Sequence, residues 1–171
     1  MSIARTPAID LVRRAGITFD VHEYRPAERH GRDRDGRPDY GLEAAAALGL
    51  PPGRVFKTLI ARVDGRPAAA VLPVDRQLDP RRLAAALGGR RAELAEPRDA
   101  ERVAGSVVGG ISPLGTRRPV PLVVDARATD HATIHVSAGR RGLQLEIAPA
   151  DLVRLGNAIL ASISRTGGDP P

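Results

Sequence analysis

No cysteine occurs in the 171 residues. That excludes disulfides, thiolate metal sites and a cysteine nucleophile within the protein, and it fits a reducing, cytoplasmic compartment. Aromatic rings are scarce: two tyrosines, two phenylalanines and no tryptophan. So few rings cannot build a stacking platform that reads single strands. No window approaches eighteen apolar residues, so no membrane span is expected. Met1 to Pro7 lacks a basic stretch followed by an apolar one, so no signal peptide is expected either. No Gly-Lys-Ser/Thr follows a glycine run, which removes the P-loop. Lysine is almost missing as well, since Lys57 is the single lysine among 26 basic residues.

Those basic residues outnumber 20 acidic ones and leave a net charge of +6. Arginine pairs recur at Arg13-Arg14, Arg81-Arg82, Arg90-Arg91, Arg117-Arg118 and Arg140-Arg141. Guanidinium groups bind phosphate bidentately, so a nucleic-acid face is one reading and an ordinary solvated surface the other. Any nucleic acid would be held by backbone charge and shape. A hydrophobic content of 42% in a chain of this length fits one domain with a real core.

Thr6-Pro7 ahead of Ile9, Leu11 and Val12 predicts a capped helix stopped by Gly16. Residues 17–24 alternate at period two, with Ile17, Phe19 and Val21 facing one way and His22 and Tyr24 the other. Residues 25–39 read as a polar loop with a mobile tip. Within it Asp33-x-Asp35-Gly36 echoes a calcium loop, but Gly31 and Leu42 would occupy ligand positions, so the match fails. A helix is expected over 41–48, closed by Gly49. Strands over 55–63 and 68–74 flank Asp64-Gly65, a strong hairpin signal. Asp79-Pro80 opens a helix through Leu87, and 91–94 and 97–103 read as a short strand and a short helix. Further strands are expected over 120–124, 133–137 and 143–147, then a closing helix over 151–163 interrupted near Gly156-Asn157. The tail, 166–171, is expected to be disordered. Short helices interleaved with hairpin strands predict a single α+β domain over 1–165, with a mixed, curved, barrel-like sheet flanked by short helices.

Two features carry chemistry. In Val107-Val-Gly-Gly-Ile-Ser-Pro-Leu-Gly115 an apolar lead enters two glycines, a proline and a third glycine. Paired glycines reach φ > 0 and admit a ligand to bare N–H groups, while Pro113 stiffens the loop; an oxyanion cradle and a plain tight turn both fit. Lys57 shares a face with Val55, Leu59, Ala61 and Val63, where a charge is costly unless it is paired or bound to an anion. Every other basic residue being arginine, its retention points to a need for a compact ammonium. Gly110-x-Ser112 hints at a nucleophile elbow, but the closing glycine comes one residue late and Pro113 intervenes. His131 and His135 stand four apart in an alternating stretch with no third ligand at zinc spacing, so no metal is expected. His22 and His30 read as surface residues.

Val-Phe-Lys57-Thr-Leu, Val-Gly-Gly-Ile-Ser-Pro-Leu-Gly (108–115) and Val-Ser-x-Gly-x-Arg-Gly-Leu (136–143) closely resemble the YbaK family of Cys-tRNA(Pro) deacylases. The resemblance runs from Thr6 to about Ile163. It implies a trans-editing hydrolase that removes cysteine from mischarged tRNA(Pro), with no cofactor or metal. It places Lys57 at the tRNA acceptor end and the Gly109-Gly110-Ile111-Ser112-Pro113 loop around the aminoacyl carbonyl. Tyr24, Tyr40, Thr58, Ser137 and Gln144 would line the substrate pocket. The mechanism it implies is substrate-assisted, the substrate thiol attacking its own ester. Implied partners are tRNA(Pro) and prolyl-tRNA synthetase, in the cytoplasm. The chain departs from the family pattern in two places: Gln144 stands where aspartate is usual, and His135 where tyrosine is common. Two other readings stay open: a deacylase for alanine or another small residue, and a non-catalytic tRNA- or synthetase-binding adaptor.

Overall fold

The structure is a computed structural model that describes residues 4–28, 31–32 and 36–168. Helix α1 (Pro7–Arg14) begins where Thr6 Oγ1 accepts the Ile9 N–H at 3.2 Å and Pro7 occupies the first turn. The Thr6 hydroxyl also donates to the Ala138 carbonyl, tying the helix start to a distant hairpin. Strand β1 (Phe19–Glu23) follows. The flanks of the next loop are drawn together by an Arg32–Pro38 bridge and by the Asp39 N–H donating to the Gly31 carbonyl at 2.8 Å. Asp33 and Asp35, and with them the tip and the calcium-like run, lie outside the described residues.

Helix α2 (Tyr40–Leu48) is capped by Asp39 and closed by Gly49 in the left-handed region. Strands β2 (Phe56–Val63) and β3 (Arg66–Pro73) form the hairpin that Asp64-Gly65 foretells. Then come β4 (Gln77–Leu78), α3 (Pro80–Ala86), β5 (Ala92–Leu94), α4 (Pro97–Ala104) and β6 (Leu122–Asp125). Strands β7 (Ile134–Ser137) and β8 (Leu143–Ile147) make a second hairpin. Helix α5 (Pro149–Leu155) and strands β9 (Ile159–Ala161) and β10 (Ser164–Arg165) complete the order. Among the described residues no helix is long and apolar enough to cross a membrane.

The single α+β domain is as expected, but its strands form three ladders and, among the described residues, no closed barrel. One ladder runs β5-β2-β3-β6-β9, one β1-β8-β7, and one joins β4 to β10. The two larger ladders meet at one parallel bridge, Val55 to His135. The expected helix over 151–163 is also corrected. It stops at Leu155 because Asn157, two residues on, takes φ 46 and turns the chain out of the helix, while Gly156 packs against Leu122 too closely to carry a side chain. The chain beyond becomes β9, parallel to β6. Residues 166–168 of the expected tail carry a turn, and 169–171 lie outside the described residues.

The main core packs Val12, Phe56, Ile60, Val71, Val136, Leu145 and Leu152 from helices and both large ladders. On the opposite face of β2, Ala61 and Val63 join Leu83 under α3, while Val55 joins Ala44, Ala45 and Val74 under α2. Lys57 falls between these two apolar groups, on the face its alternation predicts. The C-terminal run is held by Asp125, which is 1% exposed. Its Oδ2 accepts the N–H groups of Ile163 and Ser164 at 3.0 and 2.9 Å, and its Oδ1 accepts that of Arg127 at 3.0 Å. Asp125→Ala leaves buried donors without acceptors and is expected to cost about 3 kcal/mol, read as a lowered urea midpoint.

Candidate active site

The glycine loop is a turn before it is a cradle. The Gly110 N–H donates to the Val107 carbonyl at 2.9 Å, and Gly109 sits at φ 91 in the third position. That is the arrangement of a type II turn, in which the third residue needs φ > 0. The Gly110 amide is therefore occupied. No hydrogen bond within the described residues engages the N–H groups of Gly109, Ile111 or Ser112. Ile111, Ser112 and Pro113 are buried. Ser112 Oγ accepts the Leu114 N–H at 3.2 Å. It lines a crevice with Pro7, Ala8 and Gly105 that includes neither Lys57 nor Gln144.

Close approach explains why both residues are glycine. A Cβ on Gly109 would come 2.8 Å from the Tyr40 ring, and one on Gly110 would meet the Arg140–Arg141 backbone at 2.8 Å. The Arg141 guanidinium carbon lies 4.6 Å from the Tyr40 ring centroid, a cation–π contact. The loop, the first residue of α2 and the β7–β8 connection are thus one packed unit.

Below this unit lies the polar face of the β1-β8-β7 ladder. Alternation sends Val21, Leu145 and Val136 to the core and His22, Gln144, Glu146, His135 and Ser137 to the other side. The Tyr24 N–H donates to the Gly142 carbonyl at 2.9 Å. Burial pushes the Tyr24 hydroxyl up from its ordinary range, with hydrogen bonding from Gly142 opposing. The Gln144 amide lies against that hydroxyl as a donor, and its buried Oε1 has no hydrogen-bond partner. Ser137 is paired with Gln144 in the ladder, and its Oγ accepts the Gly139 N–H at 3.2 Å.

Lys57 enters through the junction of the sheets. Val55 pairs with His135 in parallel, so the same register two residues on brings partly buried Lys57 level with Ser137. Ser137, Gln144 and His22 form one register row, with Lys57 on the neighbouring strand and with Tyr24 and the glycine unit at the hairpin connection beyond it. Thr58 departs from the set: it lies between Phe56 and Ile60 on the core face of β2, its buried Oγ1 without a partner.

A second row was not foreseen. Glu146 Oε2 lies 2.7 Å from His22 Nε2 and 3.9 Å from His135 Nε2, while its Oε1 accepts the Thr133 hydroxyl at 2.7 Å. Arg54 donates to Thr133 Oγ1 at 2.7 Å and stands 3.6 Å from Glu146 Oε1. The Thr133 hydrogen bond holds Glu146 below the usual carboxylate range, and burial holds His135 below the usual imidazole range. His22 is partly exposed, as expected, but is also part of a network, and His135 pairs with it and not with His131; His30 lies outside the described residues. The period-two pattern placing His22 beside Tyr24 was the available signal. Glu146, 124 residues away, left none.

Comparison with known proteins identifies the family. A family model for the aminoacyl-tRNA editing domain matches residues 40–155. An Enterococcus faecalis protein, EbsC, provisionally named a Cys-tRNA(Pro)/Cys-tRNA(Cys) deacylase, is 32% identical over 94% of this chain and 93% of its own. The Escherichia coli multifunctional Ser/Thr-tRNA deacylase ProXp-y is 30% identical over 69% of this chain and 74% of its own. A crystal structure described provisionally as a trans-editing enzyme for prolyl-tRNA synthetase shares the fold at TM-score 0.75 and 22% identity, covering 95% of this chain and 99% of that one.

Gly109→Ala is expected to cost about 2 kcal/mol in urea denaturation, and adding Tyr40→Ala should recover only the part due to ring contact, since the φ strain persists. Acid provides a second test. The folded His135 binds its proton less readily than the unfolded residue at 6.5, so the stability it contributes is present above that pH and lost as pH falls below it. The urea midpoint should drop between about pH 7 and 5, and His135→Gln should flatten that drop.

Proposed function

Because the chain belongs to the aminoacyl-tRNA editing domain family, we propose that it removes cysteine from mischarged tRNA(Pro) in trans. It is an aminoacyl-tRNA hydrolase by that membership. The finer reading is supported by the parallel bridge of Val55 to His135, which, continued two residues along each strand, directs the single lysine toward Ser137 and its ladder partner Gln144. Residues 1–165 act as one editing unit on this reading, in the cytoplasm, with or without prolyl-tRNA synthetase beside it.

In the proposed mechanism Lys57 holds the phosphate and ribose of the terminal adenosine, a task for a compact ammonium. Arg140 and Arg141, at the loop against which Gly110 packs, meet the acceptor-end backbone. The unengaged amides of Ile111 and Ser112 face the developing oxyanion. The substrate thiol attacks its own carbonyl: the sulfur–carbon bond forms, the ester bond to the 3′ oxygen breaks, and that oxygen receives the thiol proton. The product is a thiolactone and tRNA with a free 3′ hydroxyl. Among the described residues no base lies within hydrogen-bond reach of Ser112 Oγ, which accepts the Leu114 N–H, and this supports a nucleophile outside the protein.

Gln144 favours a second reading. Its unpartnered Oε1 accepts a hydrogen bond from a thiol or a hydroxyl alike, and one relative is named for serine and threonine. Deacylation of Cys-, Ser- and Ala-tRNA(Pro) by wild type and Lys57→Ala separates the cases. Cysteine should be released fastest, and Lys57→Ala should lower kcat/KM by roughly 100-fold or more, as loss of a transition-state contact does. Undiminished hydrolysis by the variant would remove Lys57 from the mechanism, and no hydrolysis of any substrate would favour an adaptor.

A further inference from the structure

We propose that His22, His135 and Glu146 form a binding site for a divalent transition metal of the zinc class. His22 is the ladder partner of Gln144, while Glu146 and His135 lie one register row further along the polar face, and the proposal does not rest on the deacylation reading. One ligand atom from each residue lies within 4.8 Å of the other two, and the residues come from three adjacent strands of one ladder. Two imidazoles and a carboxylate are a common donor set for such ions. Tetrahedral zinc with bonds near 2.0 Å separates its ligand atoms by about 3.3 Å. Glu146 Oε2 stands 2.7 Å from one imidazole nitrogen and 3.9 Å from the other, and all three ligand atoms lie within 4.8 Å of one another, so binding requires the first separation to widen and the imidazoles to draw closer.

Two further observations point to a ligand. The His135 ring is 3% exposed, its Nδ1 has no hydrogen-bond partner, and its Nε2 is 3.9 Å from the carboxylate, beyond hydrogen-bond reach. The Nε2 that faces the carboxylate is thus held by no hydrogen bond and is open to a metal, while the orphaned Nδ1 on the far side of the ring is left to be met by a further polar group. The carboxylate is also oriented from behind. Thr133 donates to Oε1, and Arg54 stands beside that same oxygen, which leaves Oε2 directed at both imidazoles. Outer partners of this kind fix metal-ligating carboxylates. The His22 side chain is 38% exposed, giving an entry path, and three protein ligands leave a position for water.

The test uses the untagged full chain, stripped with chelator and titrated with Zn²⁺ by calorimetry and with Co²⁺ by visible absorption. One ion per chain is expected, with intense d–d bands of four-coordinate cobalt. His135→Ala and Glu146→Gln should each weaken binding at least 10-fold, and His131→Ala should leave it unchanged. If the buried variants fold poorly by circular dichroism, His22→Ala at the edge strand provides the same test. Absence of stoichiometric binding in the wild-type chain overturns the proposal. So does binding that survives His22→Ala and Glu146→Gln at full affinity.

Discussion

Two separately hydrogen-bonded sheets meet where Val55 runs alongside His135, and the position of every polar group in the cleft follows from that one register. A slip of one residue would turn Lys57 into the main core and Phe56 out of it, since strand side chains alternate with period two. The register is locked from both sides. Val55 is buried beneath α2 with Ala44, Ala45 and Val74, and Phe56 is buried in the main core. The apolar neighbours thereby fix the one lysine without touching its chemistry.

Much of the fold was legible because local chemistry dictated it. Thr6-Pro7 and Asp79-Pro80 begin helices by their side-chain caps, and Asp64-Gly65 turns a hairpin because both residues take positive φ. The face on which Lys57 lies came from alternation alone. Hidden from such reasoning was pairing between distant segments. Strand β9 looked like the end of a helix because Ile159 and Leu160 are apolar without marking a period, and only β6 decides their state. The separation into three ladders was equally invisible, since no local signal says which strands share hydrogen bonds.

The site was legible in its members more than in their roles. Gly109 and Gly110 looked interchangeable as donors, yet the turn consumes the second amide and close packing explains both residues. Thr58 lies next to Lys57 in sequence and on the other face of its strand. The row through His22, His135 and Glu146 depends on strands 124 residues apart, a distance at which spacing carries no information. What the family likeness leaves open is the choice of amino acid, and Gln144 bears on it as a neutral group with a buried, unpartnered oxygen.

Arg141 offers a last consequence. Its guanidinium rests over the Tyr40 ring, and that ring is pressed against Gly109, so a long cationic side chain stands half immobilised at the rim of the cleft. Most arginines surrender conformational freedom only on meeting a ligand. Here that surrender accompanies folding, so the encounter with a polyanion carries a smaller entropic penalty than a free arginine would impose. Rigidity at this rim is a kinetic asset: it offers an incoming strand a fixed direction of approach rather than a diffuse cloud of charge.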